Sequence, residues 1–285
     1  MLKFGLITDE VSQDLEVAAQ LAAKYGVKGL ELRTVWERAP HKLTDRDIKN
    51  IKEICKQYGT VVCGLGSPCF KCDLENPVQI EEHIEIFKKS AAAAAEFGVK
   101  NIRSFTFWAK NGTFEENFDK VAEKLAMLAE LAKTLGVTAV VEQDPSVWGS
   151  NGAKVAKFIK AVNSPDLRAL WDIGNSVWDP EGEIPYEGML AVRPYIAHVH
   201  IKDGRKKENA IEAVRVGDGI ARVRDQLKYL NNTGYDGWAV LETHYRHKKE
   251  LDEQTLKTPG GSAFSADGYA PTEECLLALG GMEIA

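Results

Sequence analysis

The sequence predicts a single α/β domain, a (β/α)8 TIM barrel over residues 1–285, on three observations. Helical runs repeatedly end in a glycine that is followed at once by a strand-like run. Eight such strand-like runs alternate with amphipathic helical patterns. The last four of them each carry, at or next to their end, a residue able to bind a metal.

The punctuating glycines are Gly26, Gly59, Gly98, Gly136 and Gly234, the first four spaced 33, 39 and 38 residues apart. Glycine suits a helix C-terminus because it enters the left-handed conformation without a Cβ clash. A recurrence of this length is one strand, one helix and their loops. The predicted strands are 4–8, 29–32, 61–65, 101–105, 139–143, 168–172, 198–201 and 238–242. Between them, Phe114, Phe118, Val121, Leu125, Leu128 and Leu135 line one helical face. Thr113 with Glu116 reads as a capping box, and Thr44 with Asp47 as a weaker one. The Ala91–Ala95 run permits close packing of a further helix on the sheet. Eight right-handed βα units close most simply into a barrel. An open doubly wound sheet would want a Gly-rich phosphate loop after the first strand, and FGLITDEVSQD has none. The polar, Gly-rich stretch 246–270 reads as a long loop over the barrel mouth, before a last helix near 272–280.

A net charge of −6 with no basic block disfavours a nucleic-acid partner. No stretch is apolar enough for a signal peptide or a membrane span. Five cysteines without framework spacing read as reduced thiols, so the expected compartment is the cytoplasm. Cys69-Phe70-Lys71-Cys72 is a CxxC, but it lacks the second pair that a zinc site needs, and it reads as two free thiols on a loop.

The four strand-end candidates are Glu142 in VVEQD, Asp172 in WDIGN, His200 in HVHIKD and Glu242 in VLETH, 30, 28 and 42 residues apart. Barrel active sites lie at the C-terminal ends of the strands. Side chains alternate along a strand, so Asp144 shares a face with Glu142, His198 with His200, and His244 with Glu242. Each residue alone has an ordinary explanation: a solvated carboxylate, a turn cap at Asp172, a hydrogen-bonded core histidine. Together they are three carboxylates and an imidazole at one point, which repel unless a divalent cation sits among them.

These motifs, with VGDGI and YDGWAVLETH, resemble the xylose-isomerase-like barrels, a group of sugar-phosphate isomerases and epimerases, inosose isomerases and dehydratases, and tagatose epimerase relatives. The resemblance runs over essentially the whole chain. It implies that Glu142, Asp172, His200 and Glu242 bind one divalent ion, and that Glu142 and Glu242 double as acid and base. A metal chelating a carbonyl oxygen and a neighbouring hydroxyl stabilises the enediolate formed when the adjacent proton leaves. An oxygen-rich site with one imidazole favours Mn²⁺, with Mg²⁺, Co²⁺ or Zn²⁺ as substitutes. The chain departs from several epimerases of the group at Asn175, where they carry histidine, and at Lys206, beside Arg205, where they carry arginine. The related apurinic endonucleases need a histidine at Asn175 and another in the Val216–Ile220 region, and both are absent.

Trp36, Trp108, Trp148 and Trp178 follow strands and would ring the mouth, where indole faces stack on sugar C–H faces. Trp108 and Trp148, with Asn175, Lys202, Asp203, Lys206 and His244, are the candidate substrate contacts. Glu31 faces inward or forms a salt bridge with Arg33 or Arg103 at the barrel floor. The expected function is isomerisation or epimerisation of a small sugar, keto-sugar or inosose through a metal-bound enediolate. The alternatives are a dehydratase on an inosose or keto-glycoside, and a non-catalytic sugar-binding barrel subunit. A sugar or cyclitol is the expected partner, and self-association is compatible with the sequence. Substrate identity and phosphorylation stay open at this level.

Overall fold

The computed structural model describes residues 1–208, 210–248, 251 and 260–284. Eight strands close into a parallel barrel in chain order: β1 (Lys3–Ile7), β2 (Gly29–Leu32), β3 (Val61–Cys69), β4 (Asn101–Ser104), β5 (Thr138–Glu142), β6 (Leu167–Asp172), β7 (Ile196–Ile201) and β10 (Trp238–Leu241). The ring shuts where Phe4 of β1 pairs with Ala239 of β10. The two remaining strands, β8 (Asp203–Lys207) and β9 (Ala210–Val214), form an antiparallel hairpin inserted after β7. Sequence periodicity missed this hairpin because β8 is almost wholly polar and the short apolar β9 lacks a clear alternation. β3 also runs four residues beyond its expected end at 65, with a shifted register against β4.

The helices on the outside are α1 (Leu15–Lys24), α2 (Asp45–Tyr58), α3 (Pro77–Phe97), α4 (Phe114–Leu135), α5 (Gly152–Val162), α6 (Pro185–Val192), α7 (Val223–Asn232), a short α8 (Ser262–Ser265) and α9 (Tyr269–Gly280). Both predicted capping boxes are present, at the starts of α2 and α4. Gly59, Gly98 and Gly136 end α2, α3 and α4 in the left-handed conformation. In α4 the apolar stripe buries Phe114, Val121, Leu125 and Leu128 against the barrel, while Leu135, beside the C-cap, is exposed. The last helix starts three residues earlier than expected. The 246–270 stretch contains α8, and residues 249–250 and 252–259 of that predicted loop lie outside the described residues.

Most of the core lies between strands and helices. A small separate cluster of Ile7, Cys63 and Val240, with Trp238 packed on it, plugs the bottom of the barrel. Gly29 makes room for that plug, since a Cβ there would lie 2.8 Å from the Trp238 ring and 2.9 Å from Cys63 Sγ. With the floor filled, the open space sits at the C-terminal ends of the strands.

Candidate metal and substrate site

Strand alternation and register bring the four predicted ligands together. Asp172 and His200 are Cα partners across β6 and β7, Glu142 ends β5, and Glu242 follows β10. All four are buried and present ligand atoms within 4.8 Å of one another. His200 Nδ1 lies 3.5 Å from Glu142 Oε1, 3.5 Å from Glu242 Oε2 and 3.9 Å from Asp172 Oδ2. Among the described residues it has no hydrogen-bond partner. The other ring nitrogen, Nε2, sits 3.0 Å from Glu31 Oε2, which also contacts His198 Nε2 at 2.6 Å. A carboxylate on one imidazole nitrogen fixes the tautomer and turns the lone pair of the other outward. Here that lone pair would aim at three carboxylates, an arrangement that a cation converts from repulsive to binding. The donor set therefore fits a divalent ion.

The field at this point demands positive charge. Burial works against protonated His200, yet Glu31 and the facing carboxylates outweigh it and hold the imidazole well above its ordinary value. Burial pushes Asp172 up to about 7 against the opposing pull of Lys202. Lys202 Nζ lies 2.6 Å from both Asp172 Oδ2 and Glu242 Oε2 and supplies part of the compensating charge. A bound ion and this ammonium compete for the same oxygens. Asp172 also fills the ordinary role considered for it, because its Oδ1 accepts from Gly174 and Asn175 backbone N–H at 2.8 and 2.9 Å.

The two proton-transfer candidates differ in their surroundings. Glu242 has both oxygens held by full cations, Arg33 at 2.9 Å and Lys202 at 2.6 Å. Glu142 meets Arg103 at the longer distance of 3.2 Å and Asn175 Nδ2 at 3.4 Å. For Glu142, burial favours protonation, but Arg103 and then His200 keep the carboxyl below its usual range.

A cavity of about 610 Å³ opens above the cluster, and Glu142, Glu242, Asn175, Lys202, Trp108 and His244 line it. Three other expected contacts lie elsewhere. Asp203 turns its carboxylate to the backbone N–H groups of Gly204, Gly217, Gly219 and Ala221, anchoring the hairpin and the VGDGI loop. Lys206 is exposed on the outer part of the β8–β9 hairpin. Trp148 is buried against the wall of a separate surface pocket shared with Asn151 and Lys154. The floor salt bridge considered for Glu31 is absent among the described residues, because the two histidines occupy that carboxylate. Arg33 instead binds Asp9, Glu10 and Glu242, and Arg103 binds Glu142. Sequence reasoning also did not assign Lys71, Phe105 and Phe264, which line the cavity. Strand alternation from Arg103 to Phe105 was the available signal for one of them.

A parallel eight-stranded barrel with an acidic, histidine-bearing centre at the C-terminal ends of its strands defines an enzyme class. The chain belongs to the xylose isomerase-like TIM barrel family, whose sequence profile matches residues 19–261. Its curated relatives include the inosose dehydratase of Yersinia enterocolitica, 24% identical over 224 residues that cover 69% of this chain and 74% of that one. The inosose dehydratase of Bacillus thuringiensis is 29% identical over 143 residues, and the match spans 45% of this chain and about half the length of that relative, 47%. Among solved structures, the probable 3-DHS dehydratase of Bacillus anthracis superposes with a TM-score of 0.72 at 17% identity, covering 98% of this chain and 99% of that one. The D-allulose 3-epimerase of a Methylomonas species gives 0.71 at 17% identity, covering 99% and 97%. At such identity the structures share the fold alone. Among the described residues no helix is long and apolar enough to cross a membrane.

Proposed function

We propose that this protein is a divalent-metal-dependent lyase that removes water from a cyclic keto-polyol of the inosose type, with manganese as the ion. The observation that carries the reading is the unequal treatment of Glu142 and Glu242. A carboxylate gripped on both oxygens by cations is a poor proton acceptor, whereas one with longer contacts loses less of its basicity. Epimerisation by two bases asks for two comparable acceptors, while dehydration runs on one, which takes the proton and returns it to the leaving group. The inosose dehydratase relatives support the same choice. Sequence alone ranks isomerisation first; the asymmetry and the relatives support placing dehydration ahead of it in this proposal.

Glu142, Asp172, His200 and Glu242 would hold the ion, which supplies Lewis-acid polarisation of the substrate carbonyl. Glu142 takes the proton from the carbon beside the carbonyl. The electron pair of that C–H bond forms the new C=C bond as the β C–O bond breaks. Glu142 then returns that proton to the departing hydroxide, whose charge the Lys202 ammonium in the cluster stabilises, so the net loss is one water. Asn175, which donates to the Gln143 carbonyl at 2.9 Å, holds the loop beside Glu142 and directs substrate toward it. The nearly equal distances of Glu142 and Glu242 from His200 Nδ1 favour epimerisation as the second reading.

The test is mass analysis of products from inosose and keto-sugar panels in D₂O, using protein whose manganese content has been measured. Dehydration yields a product lighter by one water. Glu142→Gln should stay folded and lose both exchange and product, and His200→Ala should lose the metal. Deuterium-labelled product of unchanged formula would replace the lyase with the epimerase. Metal-loaded protein that exchanges no substrate proton would remove both readings.

A further inference from the structure

The CFKC segment at the end of β3 is not absorbed by the proposed chemistry as a thiol motif. Both of its cysteines are buried and free. Its structural distinction is Phe70, which adopts φ of +61°, matched by Phe107 after β4 at +62°. A bulky aromatic residue in the left-handed region is a strained outlier, and such outliers collect at functional sites. The two rings stack with centroids 4.5 Å apart. The backbones of the two loops are joined as well, with Phe107 N–H donating to the Phe70 carbonyl at 2.9 Å and Trp108 N–H to that of Cys72 at 2.9 Å. This paired, strained turn has one visible product: it lays Lys71 across Phe105 and Trp108, Nζ 4.7 and 5.4 Å from their centroids, inside the cavity.

Lys71 Nζ reaches Asp144 Oδ2 at 2.9 Å. The other oxygen, Oδ1, is held by the Ser146 backbone N–H at 2.8 Å and by the Ser146 hydroxyl. An ammonium has three protons and a carboxylate about four acceptor positions. Asp144 is the one hydrogen-bond acceptor for Lys71 Nζ among the described residues, and Asp144 Oδ2 accepts from that ammonium alone among them. Two N–H bonds and an acceptor position thus stand side by side in a cavity wall. Asp144 lies two residues beyond Glu142, one layer nearer the mouth. The pair is neutral overall, and the other lining cations, Arg33, Arg103, Lys110 and Lys202, are each bound to carboxylates.

We propose that Lys71 and Asp144 form a subsite for two adjacent hydroxyls of an uncharged polyol ring, with Trp108 and Phe105 as the apolar platform beneath it. Lys71 donates to one hydroxyl oxygen, and Asp144 Oδ2 accepts from the neighbouring hydroxyl. A vicinal diol offers this acceptor–donor pairing; a phosphate offers acceptors only and would face the Asp144 charge. The subsite rests on the keto-polyol reading above and fixes which end of the ring points to the mouth.

The test uses the full-length, manganese-loaded protein. KM and kcat are measured with inosose, and dissociation constants with myo-inositol, which has no carbonyl and is not turned over, and with its mono-deoxy analogues. Lys71→Met and Asp144→Asn should each raise KM and the myo-inositol dissociation constant about tenfold or more. Parent protein should reject the analogues lacking either of two adjacent hydroxyls, and the variants should lose that rejection. The double variant removes both charges together, leaves no buried unpaired ion and covers the case in which a single variant misfolds. Dehydration of inosose with unchanged constants in all three variants overturns the subsite and leaves the reaction standing. Neither turnover nor binding of inosose by the parent removes both.

Discussion

His200 is committed at both ring nitrogens, and that commitment is visible only in three dimensions. Nδ1 faces the carboxylates of Glu142, Asp172 and Glu242, and Nε2 is taken by Glu31 from the opposite wall of the barrel. Glu31 is in turn fixed by His198, which shares a face with His200 through strand alternation. Outer partners of a ligating histidine typically contribute 10–100-fold to metal affinity. Glu31→Gln should accordingly weaken manganese binding by about 10–100-fold, read by calorimetry, with little change in the circular dichroism spectrum. Unchanged affinity would show that Glu31 is merely a buried partner of two histidines. At the same scale, Asp144 and His244 were placed on the inward face by period-two counting and do line the cavity. Asp203, next to a ligand strand in sequence, went instead to the backbone of the VGDGI loop.

The elements were legible where local chemistry is strong. The glycine stops and the two capping boxes depend on residues three apart or adjacent, so a linear reading finds them. Asp47 in the α2 box also binds Arg38 at 2.7 Å. Burial would favour its protonated form, but the hydrogen bonds from Thr44 and the Arg38 charge prevail and hold its carboxyl below the ordinary aspartate value. A carboxylate whose folded value is depressed binds fewer protons in the folded than in the unfolded chain. Its stabilisation is therefore full above the unfolded value of about 3.9 and disappears as pH falls through the folded one. Asp47→Asn should be less stable than parent at neutral pH, and the gap should close below about pH 4 in urea titrations. A gap independent of pH would assign the loss to packing. The β8–β9 hairpin was not legible, because neither of its strands alternates apolar with polar residues clearly enough to stand out from a loop.

At the scale of the whole molecule, closure of the barrel makes the site. It sets Glu242 at the end of the last strand against residues of the first two, linked by Arg33 to Asp9, Glu10 and Glu242 together. It also requires a filled floor, where Trp238 lies over Gly29. Gly29→Ala would push a methyl group into that ring and into Cys63, and overpacking of a tight core costs about 1–3 kcal/mol. The expected outcome is a lower melting temperature with the manganese stoichiometry intact; an unchanged melting temperature would mean that the floor is slack.

The sequence by itself determined the eight βα units, their stops and caps, and the four strand-end residues proposed as ligands, because these depend on spacing along the chain and on the fixed period of each element. Tertiary structure alone decided which neighbours those ligands meet. Arg33, Arg103, Lys71 and Lys202 reach carboxylates that are distant in sequence or on other strands, and the unequal surroundings of Glu142 and Glu242 arise from those contacts. A side chain's electrostatic partner is set by barrel closure and loop path, and no period in the chain encodes either.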